Sequence, residues 1–116
     1  MNKKTIVLDT NFLRECIKNK IHIEEELDRI CHYPYTIKIT EATIRELEQQ
    51  MPHPEAKLAL AITKKYERIE GEGGADDILA EISSQDVIIA TQDKELKKRL
   101  KGPKIVLRQK KYLELK

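Results

Sequence analysis

Two short apolar runs, each leading into an aspartate, constrain the fold of this chain more than any other feature. Thr5–Leu8 is followed at once by Asp9, and a run over 86–90 is followed by Thr91, Gln92 and Asp93. Such short β-branched runs, separated by helical patterns, predict an α/β fold with a mostly parallel central sheet and helices on both faces. Ligands of these sheets bind beyond the carboxyl ends of the strands, so we expect Asp9 and Asp93 at the ligand-binding edge.

The rest of the chain alternates between strand and helix patterns. Strands are predicted over 35–39 and 105–107, and the segment over 112–115 is either an edge strand or a loose end. Apolar spacing predicts helices over 11–18, 23–31, 41–51, 55–66, 75–83 and 93–101. Thr40 is placed to cap the third helix, while 71–74 reads as a flexible glycine loop. A chain of 116 residues is expected to form a single domain spanning 1–116.

Composition excludes several classes of protein. Charged residues make up 36% and hydrophobic residues 40% of the chain, which is typical of a globular protein. No apolar run is long enough to span a membrane, and the amino terminus lacks the pattern of a signal peptide. Cys16 and Cys31 are far apart and the three histidines are scattered, so a zinc site is not predicted. We expect reduced, packed cysteines in a cytoplasmic protein.

The net charge of +2 hides a strong asymmetry along the chain. From Lys94 onwards ten basic residues stand against two acidic ones, so this segment carries +8 and the preceding residues carry −6. A basic segment beside an acidic body favours a polyanionic partner. A solvated helix face followed by a basic tail explains the charge equally well. If the partner is a polyanion, its expected contact is the helix that begins this segment, through Lys94, Lys97, Lys98 and Arg99.

Each carboxylate of interest also has an ordinary structural explanation. Asp9 and Asp93 are both placed to cap the helix that follows them. Asp76 and Asp77 open a helix, where negative charge is favourable in any case. Helix geometry separates this pair, because Asp76 lies nearer the apolar face and Asp77 points further toward solvent. Asp76 is therefore the better candidate for a shared site, whereas Asp77 is expected to cap the helix or to act through water.

Taken together, the carboxylates indicate a metal. Several of them at one sheet edge would repel one another unless a cation lay among them. Oxygen ligands without histidine favour Mg²⁺ or Mn²⁺ over zinc. A metal held by carboxylates next to basic residues is typical of phosphodiester hydrolysis, in which the metal activates water and stabilises the reacting oxygens.

Four segments, in chain order, resemble the four acidic motifs of PIN-domain ribonucleases. They are Val7–Asn11, Thr40–Leu47, Gly74–Ile78 and Ile89–Arg99, and together they cover nearly the whole chain. The Ala75-Asp76-Asp77 opening and the Ala90-Thr91-x-Asp93-x-x-Leu96-Lys97 pattern are similar to the subgroup that contains the PIN endonuclease of the eukaryotic small-subunit processome. This similarity suggests an archaeal-type relative of that subgroup.

The resemblance implies a three-layer PIN-like fold and a set of site residues. Asp9, Glu46, Asp76 and Asp93 would be catalytic and would bind Mg²⁺ or Mn²⁺, with Asn11, Thr91 and Asp77 as nearby polar groups. Glu46 is chosen on the resemblance alone, since its spacing fits an exposed helix position equally well. The family implies cleavage of single-stranded RNA, with a ribosomal RNA precursor as one candidate, to leave a 5′ phosphate and a 3′ hydroxyl. Homodimers are common among such domains.

Three other interpretations stay open. A toxin-like PIN ribonuclease of the VapC type would share the chemistry but would be inhibited by an antitoxin, and the Ala75-Asp76-Asp77 motif argues against it. A non-catalytic PIN scaffold would bind RNA or protein, although all four acids are retained. A different acidic α/β enzyme is the third. A haloacid-dehalogenase-like phosphatase would need Asp where Asn11 stands, and a receiver domain needs acids and a lysine that we cannot place.

Overall fold

The computed structural model describes residues 3–116 and contains one six-stranded sheet in the order β3-β2-β1-β4-β5-β6. Neighbouring strands from β3 to β5 are parallel, whereas β6 runs antiparallel to β5. The central strands β1, β4 and β5 are each buried over only three residues, so short apolar runs are enough to form them. The strands are β1 (Lys4–Leu8), β2 (Tyr35–Thr40), β3 (Glu67–Ile69), β4 (Val87–Ala90), β5 (Lys104–Arg108) and β6 (Tyr112–Leu115).

Helices cover both faces of this sheet, which confirms the predicted three-layer α/β fold. They are α1 (Thr10–Lys18), α2 (Ile23–Ile30), α3 (Glu41–Gln49), α4 (Pro54–Thr63), α5 (Ala75–Ile82) and α6 (Lys94–Arg99). The alternating side chains of β1 separate two cores: Ile6 and Leu8 pack with α1 to α4, and Val7 packs with α5 and α6. None of the helices within residues 3–116 combines the length and apolarity that crossing a membrane requires.

The order of strands reverses between β1 and β4. From β1 the chain moves outward to β2 and β3, and it then returns to β4 and continues outward through β5 to β6. Leu8 of β1 pairs with Ala90 of β4, so the residues that follow these two strands emerge side by side. The Asp9 N–H donates to the Ala90 carbonyl at 2.9 Å. Both predicted strand-end segments therefore meet at the switch point, where α/β sheets bind ligands.

The region after α4 differs from the sequence prediction. The helix predicted over 55–66 spans Pro54–Thr63 instead, and Glu67–Ile69 forms an edge strand that was not predicted. β3 has three residues, two of them charged and exposed, so it lacks the apolar alternation by which strands are recognised. Leu58 of this helix is 51% exposed, although it is a large apolar residue. The segment over 112–115, which was predicted to be either an edge strand or a loose end, forms the edge strand β6.

The two cysteines are free and buried, as predicted. Cys16 is a buried residue of α1 that packs in the core, and burial raises the pKa of its thiol to about 12. Cys31 follows α2, and burial also raises the pKa of its thiol. A thiol with a raised pKa holds little thiolate near neutral pH, so both side chains act as small packing groups.

Candidate active site

Asp9 lies at the centre of the candidate site and is only 4% exposed. It caps α1, because its Oδ1 accepts a hydrogen bond from the Thr10 N–H at 2.8 Å. Its Oδ2 accepts from the Thr91 hydroxyl at 2.8 Å, across the β1–β4 pair. Burial raises the pKa of Asp9, and the hydrogen bond from Thr91 opposes that shift, while nearby Asp76 and Glu46 reinforce it. The carboxylate is thus fixed in direction and lacks a compensating positive charge.

Thr91 connects Asp9 to the segment that carries Asp93. The Thr91 hydroxyl accepts from the Asp93 N–H at 3.1 Å while it donates to Asp9. Asp93 caps α6 through Oδ1, which accepts from the N–H groups of Glu95 and Leu96 at 2.8 and 3.1 Å. The capping role expected for Asp93 is therefore present, and it uses one of its two carboxylate oxygens.

Gln92 holds the same segment against the sheet. Its side-chain amide donates from Nε2 to the Leu107 carbonyl at 3.0 Å, and its Oε1 accepts from the Leu107 N–H at 2.7 Å. The amide thus pairs with β5 as the backbone of a neighbouring strand would. This pairing fixes the path of the loop between Thr91 and Asp93 at the point where the strands end.

Glu46 is held by a chain of buried threonines. Thr10 Oγ1 lies 2.5 Å from Glu46 Oε1 and 3.1 Å from Thr43 Oγ1, which is in turn 3.1 Å from Thr40 Oγ1. Because an ionised carboxylate only accepts, the Thr10 hydroxyl must donate to Glu46. Thr43 then donates to Thr10, and Thr40 donates to Thr43. The predicted N-cap is also present, since Thr40 Oγ1 accepts from the Thr43 N–H at 3.1 Å.

Asp76 and Asp77 are both exposed in the first turn of α5, but their surroundings differ. Asp77 Oδ1 accepts from Arg99 Nη2 at 2.8 Å, in an ion pair between α5 and α6. Partial desolvation raises the pKa of Asp76, and the neighbouring charges of Asp93 and Glu46 raise it further. Of the two carboxylates, Asp76 is therefore the one within electrostatic reach of the other acids.

The chemistry of these groups fits a hard divalent cation, although their placement does not complete a ligand set. All the donors are oxygens, and the raised pKa values of Asp9 and Asp76 show negative charge that a cation would relieve. Within residues 3–116, however, no three Asp, Glu, His or Cys side chains lie close enough together to hold a metal ion. The metal site therefore stays a prediction.

The basic residues of α6 fall into two groups. Lys98 and Arg99 are paired with acids, at 3.5 Å from Glu95 and 2.8 Å from Asp77. Lys97 instead faces other cations: partial burial lowers its pKa, and the positive charges of Arg108, Lys104 and Lys94 lower it further. The positive potential beside the site is thus concentrated around Lys94, Lys97 and β5 rather than around the paired end of α6.

The comparison with known proteins agrees with this geometry. A sequence model described as a PIN-like domain matches residues 6–110, a stretch that includes all four predicted acids. The chain belongs to the PIN-like domain family. The resemblance inferred from the four motifs, and the PIN-like fold that it implied, are therefore confirmed.

Two relatives and one solved structure illustrate the position of this PIN domain within the family. Ribonuclease VapC4 of Methanocaldococcus jannaschii is 36% identical over 124 aligned positions, which cover 95% of both chains. The rRNA-processing protein fcf1 of Schizosaccharomyces pombe is 30% identical over 83% of this chain and 53% of its own length. The structure of the PIN domain endonuclease Utp24 superposes with a TM-score of 0.81 at 25% identity, over 97% of this chain and 90% of that one.

Some residues that shape the site were not found from the sequence. Thr10, Thr43 and Gln92 position the predicted acids, yet none was selected as a site residue. Thr10 carried a usable signal, because a threonine directly after a strand-end aspartate starts a helix inside the core. Gln92 carried none, because its role depends on the neighbouring strand β5, which is distant in sequence.

Proposed function

We propose that this PIN-domain protein is a divalent-metal-dependent endoribonuclease that hydrolyses phosphodiester bonds in single-stranded RNA. The observation that carries the proposal is the set of acids Asp9, Glu46, Asp76 and Asp93 around the switch point. Burial and neighbouring acids raise the pKa values of two of them, Asp9 and Asp76. Relatives named as a ribonuclease, an rRNA-processing protein and an endonuclease support RNA as the substrate class.

The chain itself contributes orientation and charge to this reaction. Thr91 and the Thr10 N–H fix the two oxygens of Asp9, and the Thr10 hydroxyl fixes one oxygen of Glu46. Asp9, Glu46, Asp76 and Asp93 would hold the Mg²⁺ or Mn²⁺. Such an ion supplies a lowered pKa for attacking water and positive charge for the reacting phosphate. Lys94 and Lys97 raise the local concentration of the RNA backbone by electrostatic attraction.

The first test compares wild type with Asp9→Asn on a single-stranded RNA oligonucleotide in Mn²⁺. We expect wild-type cleavage that stops on chelation, and loss of at least about a hundredfold in Asp9→Asn. Asp86→Asn is the matched control. Asp86 precedes β4, at the end of the strand that lies away from the candidate site, and it pairs with Lys4 at 2.7 Å. Equal cleavage by wild type and Asp9→Asn, or cleavage that survives chelation, contradicts the metal-site assignment.

Two biological settings are compatible with this chemistry. Similarity to fcf1 and Utp24 supports processing of ribosomal RNA precursors, which we propose as the first setting. Similarity to VapC4 over 95% of both chains supports a toxin that an antitoxin restrains. Growth arrest on expression, relieved by co-expression of the reading frame beside the gene, would decide for the toxin. RNA binding without cleavage would instead indicate a non-catalytic scaffold.

A further inference from the structure

A cavity of about 630 Å³ lies directly beside the candidate active site. It opens between the start of α1 and the turn that joins β5 to β6, and Asp93 forms part of its wall. Leu107 lines it from β5, so one side is apolar. The volume is in the range of sites that hold small organic ligands. Because Asp93 belongs to both, a chain bound at the site can continue into this cavity.

Two exposed side-chain amides line the cavity from opposite walls. Asn11 comes from α1 and Gln109 from the β5–β6 turn. An amide offers both donors and an acceptor, which is the combination that reads the edge of a nucleic acid base. The third amide, that of Gln92, is already committed to the Leu107 backbone. It therefore forms a fixed wall, while Asn11 and Gln109 are free to turn toward a ligand.

The β5–β6 turn holds its residues in a costly conformation. Gln109 and Lys110 have φ of 52° and 56°, and the Lys111 N–H closes the turn on the Arg108 carbonyl at 2.9 Å. Two consecutive positive φ values are typical of a type I′ turn, which favours glycine or asparagine. Strain of this kind is concentrated where function requires a side chain. Here it places an amide and an ammonium group in the wall of the cavity.

The other large cavity offers a contrast. It has a volume of about 680 Å³ and lies at the start of β2, where Tyr33 and Tyr35 line it. None of the four acids of the candidate active site is part of its lining. Several of its polar groups are already paired with one another, whereas the buried Tyr33 hydroxyl has no hydrogen-bond partner among residues 3–116. The Tyr35 hydroxyl donates to Asp28 at 2.6 Å, and Lys65 lies 2.9 Å from Glu24. The cavity beside Asp93 is therefore the better candidate for a polar ligand.

We infer that the cavity beside Asp93 is a nucleotide subsite, which holds one base of the RNA next to the phosphate that is cleaved. Asn11 and Gln109 bind the edge of the base, and Leu107 supports its apolar surface. Glu15, also on the α1 wall, accepts from base amino groups but repels phosphate, so the adjoining phosphate is assigned to Lys110. The inference rests on the proposed function, because it takes RNA as the ligand.

The first experiment follows binding without catalysis. Each of the four ribonucleoside 5′-monophosphates is titrated into the full ¹⁵N-labelled chain, with inorganic phosphate in a parallel series. We expect at least one nucleotide to shift the side-chain amide signals of Asn11 and Gln109 to saturation, and phosphate alone to leave them unmoved. No shift with any nucleotide, or the same shift with phosphate, overturns base recognition in this cavity.

The second experiment uses the strained turn to separate binding from folding. In Gln109→Gly and Lys110→Gly, glycine relieves the positive φ, so the melting temperature should rise above that of the wild type. Affinity for a single-stranded RNA octamer, measured in EDTA to prevent cleavage, should fall by about fivefold in each. A turn that is merely structural would show the higher melting temperature with unchanged affinity, and that result overturns the inference.

Lys20→Gly is the matched control. Lys20 also has a positive φ, of 57°, but lies beyond the opposite end of α1. The change removes the same charge and the same strain as Lys110→Gly, and it should leave RNA affinity unchanged. If all variants bind RNA with wild-type affinity and cleave it, the proposed subsite is contradicted and the proposed nuclease activity is not. If nucleotides shift the amide signals to saturation but the protein cleaves no RNA, the nuclease activity is contradicted and the nucleotide site is not.

Discussion

At the scale of single residues, the site is a group of carboxylates whose negative charges repel one another. Burial raises the pKa of Asp9 above its ordinary value of 3.8, and partial desolvation with the charges of Asp93 and Glu46 raises that of Asp76. A group whose pKa is higher in the folded state is most favourable to folding when it is protonated. The metal-free protein therefore loses stability as pH rises through these raised pKa values.

This linkage predicts that Asp76→Asn stabilises the metal-free protein. Asparagine keeps the shape of the side chain but removes a charge that Asp93 and Glu46 oppose. In EDTA the melting temperature of the variant should exceed that of the wild type at pH 7. The difference should shrink as pH falls toward the ordinary pKa of 3.8, where the wild-type carboxyl is also neutral. Thermal unfolding across this pH range measures it.

Asp77→Asn is the control one residue along the same helix turn. Asp77 is paired with Arg99, so its neutralisation removes a favourable contact and should not raise the melting temperature.

Mn²⁺ should stabilise the wild type more than it stabilises Asp76→Asn, because ligands that bind the folded state raise its stability. Equal melting temperatures of wild type and Asp76→Asn at pH 7 would contradict repulsion of the Asp76 carboxylate by Asp93 and Glu46.

At the scale of elements, the threonine chain joins two helix starts into one support for Glu46. Thr10 begins α1 after β1, whereas Thr40 and Thr43 lie where β2 leads into α3. All three are buried, so their hydroxyls have few partners other than one another. The orientation of Glu46 on α3 is thereby tied to the end of β1, which also carries Asp9.

We predict that Thr10→Val weakens Mn²⁺ binding while Thr10→Ser preserves it. Valine removes the hydroxyl that donates to Glu46, and residues that orient metal ligands affect metal affinity by about 10- to 100-fold. Serine keeps the hydroxyl and loses only a methyl group. Valine costs the hydrogen bonds of Thr10 and serine costs the packing of a methyl group, so both changes lower stability and stability alone does not separate them. Calorimetric titration with Mn²⁺ does, and equal affinities in the two variants would exclude this supporting role.

The same elements show what the sequence could and could not predict. β1 and β4 were recognised as short β-branched apolar runs, and α5 was recognised because its apolar residues repeat with the helical period. β3 was missed because an edge strand of charged residues buries too little to leave a pattern. Asp9 and Asp93 followed from strand ends, but Glu46 required the family resemblance. Thr10 and Gln92 act through partners distant in the chain, which periodicity does not reveal.

At the scale of the whole molecule, the charge asymmetry along the chain leaves unpaired cations in the basic segment. The +8 segment from Lys94 onwards includes α6 and β5, and it begins directly after Asp93. No salt bridge among residues 3–116 uses Lys94, Lys97 or Lys104, so these cations are available to a polyanion. Asp93, one of the acids that would hold a metal, thus caps the helix that begins the basic segment.

RNA affinity should therefore fall steeply with salt. Three phosphate contacts on a single strand predict a slope of log affinity against log salt of about −2. Lys97→Gln should make the slope shallower by about 0.7, whereas Lys98→Gln should change it less, because Lys98 is already paired with Glu95. Fluorescence anisotropy over a range of KCl concentrations measures the slope. A flat response would mean that the basic segment faces away from the RNA.

The charged, three-residue strand β3 also affects how the protein behaves at high concentration. An open sheet exposes unpaired backbone groups at its edges, and these are templates for aggregation with a second chain. β3 presents only a few such groups, and it flanks them with the exposed side chains of Glu67 and Arg68. At the other edge, β6 carries Glu114 between Arg108 and Lys116. The charged residues that made β3 unrecognisable as a strand are of the kind that disfavours pairing of an edge strand with a second chain.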